Sequence, residues 1–103
     1  MNFEHWYREF LNLLALLERK NGTCGQFEER FEFASKEITE FITDREKKYL
    51  FQRKIIEFKK HTAYKLISIV RNKIVSLKVI DERALTELGN QLSIIINFLE
   101  RIK

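Results

Sequence analysis

The chain contains no proline and only three glycines in 103 residues, so it has few positions where the backbone can turn by glycine or proline chemistry. A sheet of short strands needs many such turns, whereas a helical bundle needs only a few connections. The composition therefore favours helices. Because this length is enough for one modest hydrophobic core and too short for two, we predict a single all-α domain, a compact helical bundle, over residues 1–103.

Apolar residues in the first half of the chain recur at steps of three and four, the period of an amphipathic helix. The pattern predicts a first helix over residues 3–20, capped by Asn2 and ended at Asn21-Gly22. The segment Thr23-Cys24-Gly25-Gln26 has the form of a capping box, which predicts a second helix over residues 24–42. The apolar seam of this second helix comprises Phe27, Phe31, Ala34, Ile38 and Phe41.

The capping-box pattern returns at Thr43-Asp44-Arg45-Glu46, so a third helix is predicted to begin there, with a helix continuous from the second as the alternative. No glycine or proline occurs from residue 44 to residue 80, and a helix of that length would be about 55 Å long. One small domain cannot cover the apolar side of such a rod. We therefore expect either a break near residues 59–62 or a homodimer that covers this apolar side. With a last helix capped by Asp81, the bundle has four helices, or five if the third breaks.

Charge is distributed unevenly along the sequence. Residues 1–46 carry six basic and ten acidic side chains, whereas residues 47–78 carry ten basic side chains and Glu57 alone. Residues 79–103 carry three basic and four acidic side chains, so the modest net charge of +4 conceals a strongly basic third helix. A basic helix of this kind indicates either an acidic partner or a solvated face.

If residues 44–80 form one helix, an advance of about 100° per residue gathers several basic side chains on one side of it. Two adjoining strips on that side supply the candidate partner-binding residues, which are Arg53, Lys54, Lys60, Tyr64, Lys65, Arg71 and Lys78. Lys59 and Lys73 are expected toward the apolar side. There, the stems of these lysines would cover apolar surface while their ammonium groups reach water.

A row of cations at successive helical turns can follow phosphate groups and release counterions, and Tyr64 could stack on a base of a single strand. No helix-turn-helix or zinc-finger pattern accompanies the row, so contacts would be mostly with phosphates. The alternative is a solvated face that the acidic second helix partly neutralises. We expect a non-enzymatic interaction module with nucleic acid as the slightly favoured partner. The alternatives are an adaptor that binds an acidic protein surface and a homo-oligomeric structural or regulatory subunit.

Residues for catalysis or metal binding are few. The chain has two histidines, His5 and His61, and one cysteine, Cys24, and no motif brings them together. We therefore expect no enzymatic activity, no metal and no cofactor. The acidic residues near the N-terminus do not fit a targeting segment, and no apolar run reaches the roughly 18 to 20 residues of a membrane span. A lone cysteine fits a reducing compartment, so we expect a cytoplasmic protein with no membrane partner.

Overall fold

The computed structural model describes residues 2–70 and 72–103. Within these residues the chain forms five α-helices and one 3₁₀ turn, with no named strand. The elements are α1 (Phe3–Arg19), α2 (Cys24–Thr39), α3 (Arg45–Lys60), α4 (Thr62–Ser68), the 3₁₀ turn (Leu77–Val79) and α5 (Glu82–Ile102). The predicted all-α bundle is confirmed, in its form with five helices.

Side-chain caps start the long helices close to the predicted positions. Asn2 caps α1, and the Thr23 hydroxyl and the Gln26 side chain form a complete capping box at α2, with hydrogen bonds of 3.1 and 2.9 Å. Asp81 caps α5 in the same way. At α3 the cap is Asp44, the second residue of the predicted capping box, and not the first. Asp44 Oδ1 accepts a hydrogen bond of 2.9 Å from the backbone N–H of Lys47. These caps satisfy amides that the first helical turn leaves free.

Helix α2 ends at Thr39, before the predicted end at residue 42. The backbone N–H of Phe41 bonds to the carbonyl of Ile38 at 2.9 Å, so the chain tightens into turns of three residues here. This tightening shifts the helical phase. As a result Phe41 is 40 % exposed and does not extend the apolar seam, whereas Ile42 is buried.

The predicted break of the third helix lies at His61. The His61 backbone is extended, with φ −66° and ψ 139°, and its Nδ1 accepts from the N–H of Ala63 at 3.3 Å to start α4. The apolar side of α3 then faces the core of the same chain, where Phe51 and Phe58 are buried. The apolar side predicted for a homodimer is therefore buried within the chain on α3, whereas its continuation at Leu66 and Ile69 is 41 % and 71 % exposed.

The predicted continuation of the third helix to residue 80 is wrong. After Ser68 the chain leaves the helix, and residues 73–77 lie against the start of α2. The N–H of Cys24 donates to the carbonyl of Val75 at 2.8 Å, and the N–H of Gly25 donates to the carbonyl of Lys73 at 3.0 Å. In the opposite direction, the N–H of Leu77 donates to the carbonyl of Gly22. Two physical causes combine: residues 67–80 are rich in β-branched side chains, which are poor helix formers, and the free amides of α2 offer backbone partners.

An aromatic cluster lies at the centre of the core. The Phe31 ring centroid is 4.5 Å from that of Phe58, 5.6 Å from that of Tyr64 and 6.0 Å from that of Phe10. Each of these four rings comes from a different helix, α1 to α4. Helix α5 closes the bundle by packing against α1, α3 and α4. The core therefore holds α3 in a fixed position, with its other sides exposed.

Candidate functional site

The seven predicted partner-binding residues do not form one row. Arg53, Lys54 and Lys60 lie on α3, whereas Tyr64 and Lys65 lie on α4. Lys78 belongs to the 3₁₀ turn, and Arg71 lies outside the described residues. The predicted row assumed a continuous helical phase, which the extended backbone at residue 61 and the irregular segment after residue 68 both interrupt.

Tyr64 cannot serve as an exposed stacking surface, because only 3 % of it is accessible. Its ring packs against Phe58 at 5.3 Å between centroids. Its hydroxyl donates to Glu32 Oε1 at 2.9 Å, and burial together with this carboxylate raises the pKa of Tyr64. The prediction that Tyr64 stacks on a base is therefore wrong, since the side chain belongs to the core.

Carboxylates of α2 neutralise the two lysines that the sequence placed toward the apolar side. Lys59 Nζ lies 2.8 Å from Glu32 Oε2, and Lys73 Nζ lies 3.0 Å from Glu28 Oε1. Partial burial alone would raise the pKa of Glu28, but hydrogen bonds from Ser68 and Lys73 outweigh it and lower that pKa. These lysines form ion pairs and do not extend freely into water, so α2 partly neutralises the basic segment.

Two rows of cations remain on the exposed sides of α3. Arg53 and Lys60 are seven residues apart and project outward, while Lys47 and Lys54 are also seven residues apart and lie next to α5. The second row lines a groove of about 500 Å³ between α3 and α5, and Arg101 of α5 lines the same groove. We call these five residues the α3 basic face. Helical spacing predicts each row, but no sequence spacing could associate Arg101 with Lys54.

Aromatic rings hold two of these cations in place. The Arg53 guanidinium lies 5.9 Å from the ring centroid of Tyr49 and donates to the Tyr49 hydroxyl at 3.3 Å. Lys54 Nζ lies 5.3 Å from the ring centroid of Phe98 on α5. Contacts between a cation and a ring restrict the side chain without removing its charge, so both groups keep their charge for a partner.

The charge of the α3 basic face is not neutralised by ion pairs. Among the residues that the structure describes, no carboxylate oxygen lies within 4.0 Å of the charged nitrogens of its five cations. Glu46 and Glu57 project between the two rows, and Asp44 lines the groove between α3 and α5, so five cations and three carboxylates leave this surface with a net charge of +2. The face is thus an exposed positive surface on a rigidly packed helix.

Exposed apolar side chains lie beside the outward row of cations on α3. Tyr49 and Ile56 are 56 % and 51 % exposed, and they share the outward side of α3 with Arg53 and Lys60. Exposed Tyr and Arg side chains are enriched where proteins bind other proteins. The outward side therefore has a composition that also suits a protein partner.

Neither histidine nor the cysteine forms part of a reactive cluster in the described residues. Cys24 is buried, and burial raises the pKa of its thiol, so the nucleophilic thiolate is disfavoured. His61 caps α4. Across residues 2–70 and 72–103 there is no group of three or more His, Cys, Asp or Glu side chains that could hold a metal ion. In the same residues, no helix has the length and apolar character needed to cross a membrane.

Comparison with protein-family models, with curated proteins and with solved structures finds no match to this chain.

Proposed function

We propose that the chain is a non-enzymatic interaction module that binds nucleic acid through the α3 basic face, mostly by contacts with phosphates. One observation carries the proposal: the five cations of this face lack carboxylate partners within 4.0 Å in the described part of the chain, whereas Lys59 and Lys73 have them. A cation that already has an ionic partner contributes little to binding an anion. The five others remain available to release counterions from a phosphate backbone.

The geometry of the face suits a phosphate backbone. Arg53 and Lys60 are seven residues apart on α3, which corresponds to about 10 Å along the helix axis. That distance spans about three nucleotide steps of one strand, at 3.4 Å per step. Phe51 and Phe58 hold α3 in the core, so binding does not require the helix to become ordered.

The test is binding to labelled duplex DNA, duplex RNA and single strands across a salt series, with fluorescence anisotropy as the readout. The variants are Lys54→Gln and Lys60→Gln. The matched control is Arg83→Gln, which removes one exposed cation on α5 outside the face. We expect each α3 variant to reduce the slope of log K against log salt by about 1, and the control to leave the slope unchanged. No binding at low salt, or equal slopes for all three variants, contradicts the proposal.

An acidic protein surface is the second candidate partner, and the exposed Tyr49 and Ile56 side chains favour it. Polyglutamate in the same anisotropy assay separates the two. If polyglutamate competes with DNA at an equal concentration of charge, the face recognises acidic polymers in general, and the module is better described as an adaptor. If DNA binds and polyglutamate does not compete, the nucleic-acid proposal stands.

A homo-oligomeric role is a third candidate, and its surface would include Ile69 from the apolar side expected from sequence together with residues further along the chain. Ile69, Ile74 and Val79 are 70–77 % exposed, and all three lie in the connection between α4 and α5. Size-exclusion chromatography with light scattering gives the oligomeric state. A dimer that Ile74→Ser converts to a monomer would support this role, and a monomer at all concentrations would exclude it. For each candidate we propose the cytoplasm as the compartment, because the one cysteine is a free thiol.

A further inference from the structure

A groove of about 450 Å³ runs between α2 and α3, and this volume lies within the range of small-molecule sites. The short connection after residue 39 makes the two helices antiparallel neighbours. The Lys59–Glu32 ion pair lies at one end of the groove, and the lining at the other end includes Thr39 and Tyr49 near the connection. The groove is therefore lined on two sides by α2 and α3 and is open to solvent.

The walls of this groove are positively charged. Three cations and one carboxylate line it, which gives a net charge of +2. The carboxylate, Glu32, already accepts from Lys59 at 2.8 Å and from Tyr64 at 2.9 Å. Lys36 on the α2 wall and Arg53 on the α3 wall have no carboxylate within 4.0 Å among the residues described. An anion between the two walls would reduce the repulsion between these cations and form charge-assisted hydrogen bonds with both.

A polar atom that has no partner within the described part of the protein is buried beneath the wall of the groove. Ser35 lines the groove and is 6 % exposed, and its Oγ has no hydrogen-bond partner in the described part of the chain. Buried hydroxyl groups nearly always have a hydrogen-bond partner, so the unpaired hydroxyl of Ser35 is unusual. Ile55, Ile56 and the Tyr49 side chain also line the groove. Apolar lining with a few polar groups is typical of ligand sites.

We propose that the groove between α2 and α3 binds a small amphipathic organic anion. Its anionic head lies between Lys36 and Arg53, and its apolar body lies against Ile55 and Ile56. A purely apolar ligand would leave the two cations unneutralised, and an inorganic anion would leave the apolar lining in water. This site goes beyond the proposed nucleic-acid function. The two sites share Arg53, but Lys36 and the apolar lining belong to this groove alone, and Lys47, Lys54 and Arg101 line a different groove.

The probe for the test is anilinonaphthalene sulfonate, an aromatic anion, with the uncharged N-phenylnaphthylamine as its matched control. We expect one saturable site on the folded protein, detected by fluorescence titration, and weaker binding of the uncharged probe. In ¹H–¹⁵N spectra of the full chain, the shifts produced by the anionic probe should map to residues 32–39 and 49–59. Shifts spread over the bundle, or equal affinity for both probes, would overturn the proposal.

Two pairs of variants test the head and the body of the ligand separately. Lys36→Gln should raise the dissociation constant of the anionic probe about tenfold, the size of one charge-assisted hydrogen bond, whereas Arg83→Gln should leave it unchanged. Ile56→Ala should weaken both probes, and Ile94→Ala, which truncates a similarly exposed isoleucine on α5, should weaken neither. All four side chains are exposed, and unchanged thermal unfolding without probe confirms that each variant is folded. Equal affinities within either pair refute the assignment, and none of these results depends on DNA binding.

Discussion

Gly25 tests whether the close contact between the start of α2 and the segment at residues 73–77 is required for stability. A Cβ atom at Gly25 would lie 2.6 Å from Lys73 Cβ and 2.7 Å from the Lys73 carbonyl oxygen. Both distances are shorter than real contacts, and the second involves a backbone atom that cannot rotate away. Gly25→Ala therefore has to displace the backbone at Lys73.

The cost of this displacement follows from the hydrogen bonds at the contact. Moving Lys73 breaks or lengthens the 3.0 Å bond from Gly25 N–H and strains the 2.8 Å bond between Cys24 and Val75. Each such bond contributes about 0.5–1.5 kcal/mol to stability, and an alanine in a helix recovers at most about 1 kcal/mol. We expect Gly25→Ala to lower the free energy of unfolding by about 1–2 kcal/mol.

Gly89→Ala is the matched control, because it makes the same change in a helix where space exists. Its nearest neighbour would be Leu14 Cδ1 at 3.7 Å, an ordinary van der Waals distance. This substitution should raise the free energy of unfolding by about 0.5–1 kcal/mol through helix propensity alone.

Urea denaturation at 25 °C, followed by far-ultraviolet circular dichroism, measures both variants. The slope of free energy against urea should stay constant, so that a change in midpoint reports a change in stability. Hydrogen exchange at the Leu77 amide, which donates to Gly22 O at 3.0 Å, should accelerate in Gly25→Ala and not in Gly89→Ala. If Gly25→Ala is as stable as the parent chain or more stable, the close contact with Lys73 is not real and the account of this connection fails.

Three further predictions concern polar groups that are buried or partly buried. Ser35→Ala should be neutral or raise the free energy of unfolding by up to about 1 kcal/mol in urea denaturation, because it removes an unpaired buried hydroxyl; a loss of stability would show that the hydroxyl has a partner. Tyr64→Phe should cost about 1 kcal/mol in the same assay, since it removes the hydrogen bond to Glu32, and an unchanged midpoint would contradict that bond. Hydrogen bonds from Arg30 hold the pKa of Glu9 below its ordinary value of 4.5, so the stabilisation by this pair is present above that value and is lost as pH falls through the folded-state pKa. The difference in unfolding free energy between the parent chain and Glu9→Gln should therefore shrink as the pH falls below about 4.5, and a difference that is constant with pH would refute the assignment.

Local signals in the sequence predict most helix boundaries in this chain. The caps Asn2 and Asp81 and the box at Thr23 each involve residues three positions apart, so the whole interaction is contained in a short window. The burial of Phe31 and Leu92 follows from helical spacing in the same way. These features depend on chemistry that operates within one helical turn, and the sequence shows it directly.

The candidate site was predicted only in part, because its position depends on where α3 ends. Arg53 and Lys54 lie on α3 as expected, but the assumption of one helical phase placed Tyr64 on the surface, and the structure buries it. Nothing in the spacing of residues indicates that Glu32 pairs with Lys59, or that Arg101 lines the same groove as Lys54. Those associations link residues from 27 to 47 positions apart in the sequence.

The sequence alone was enough to predict an all-α chain, the starts of its long helices and an excess of positive charge in the third quarter, and it gave a break near residues 59–62 as one of two alternatives. The path of residues 69–80 depended on the folded bundle, because the start of α2 binds the backbone of Lys73 and Val75 about fifty positions further along the chain. The packing of the helices also decided which lysines form ion pairs with carboxylates of α2 and which remain exposed on α3. Helical periodicity describes a residue's place on its own helix, whereas the partner of each charge is set by the packing of one helix against another.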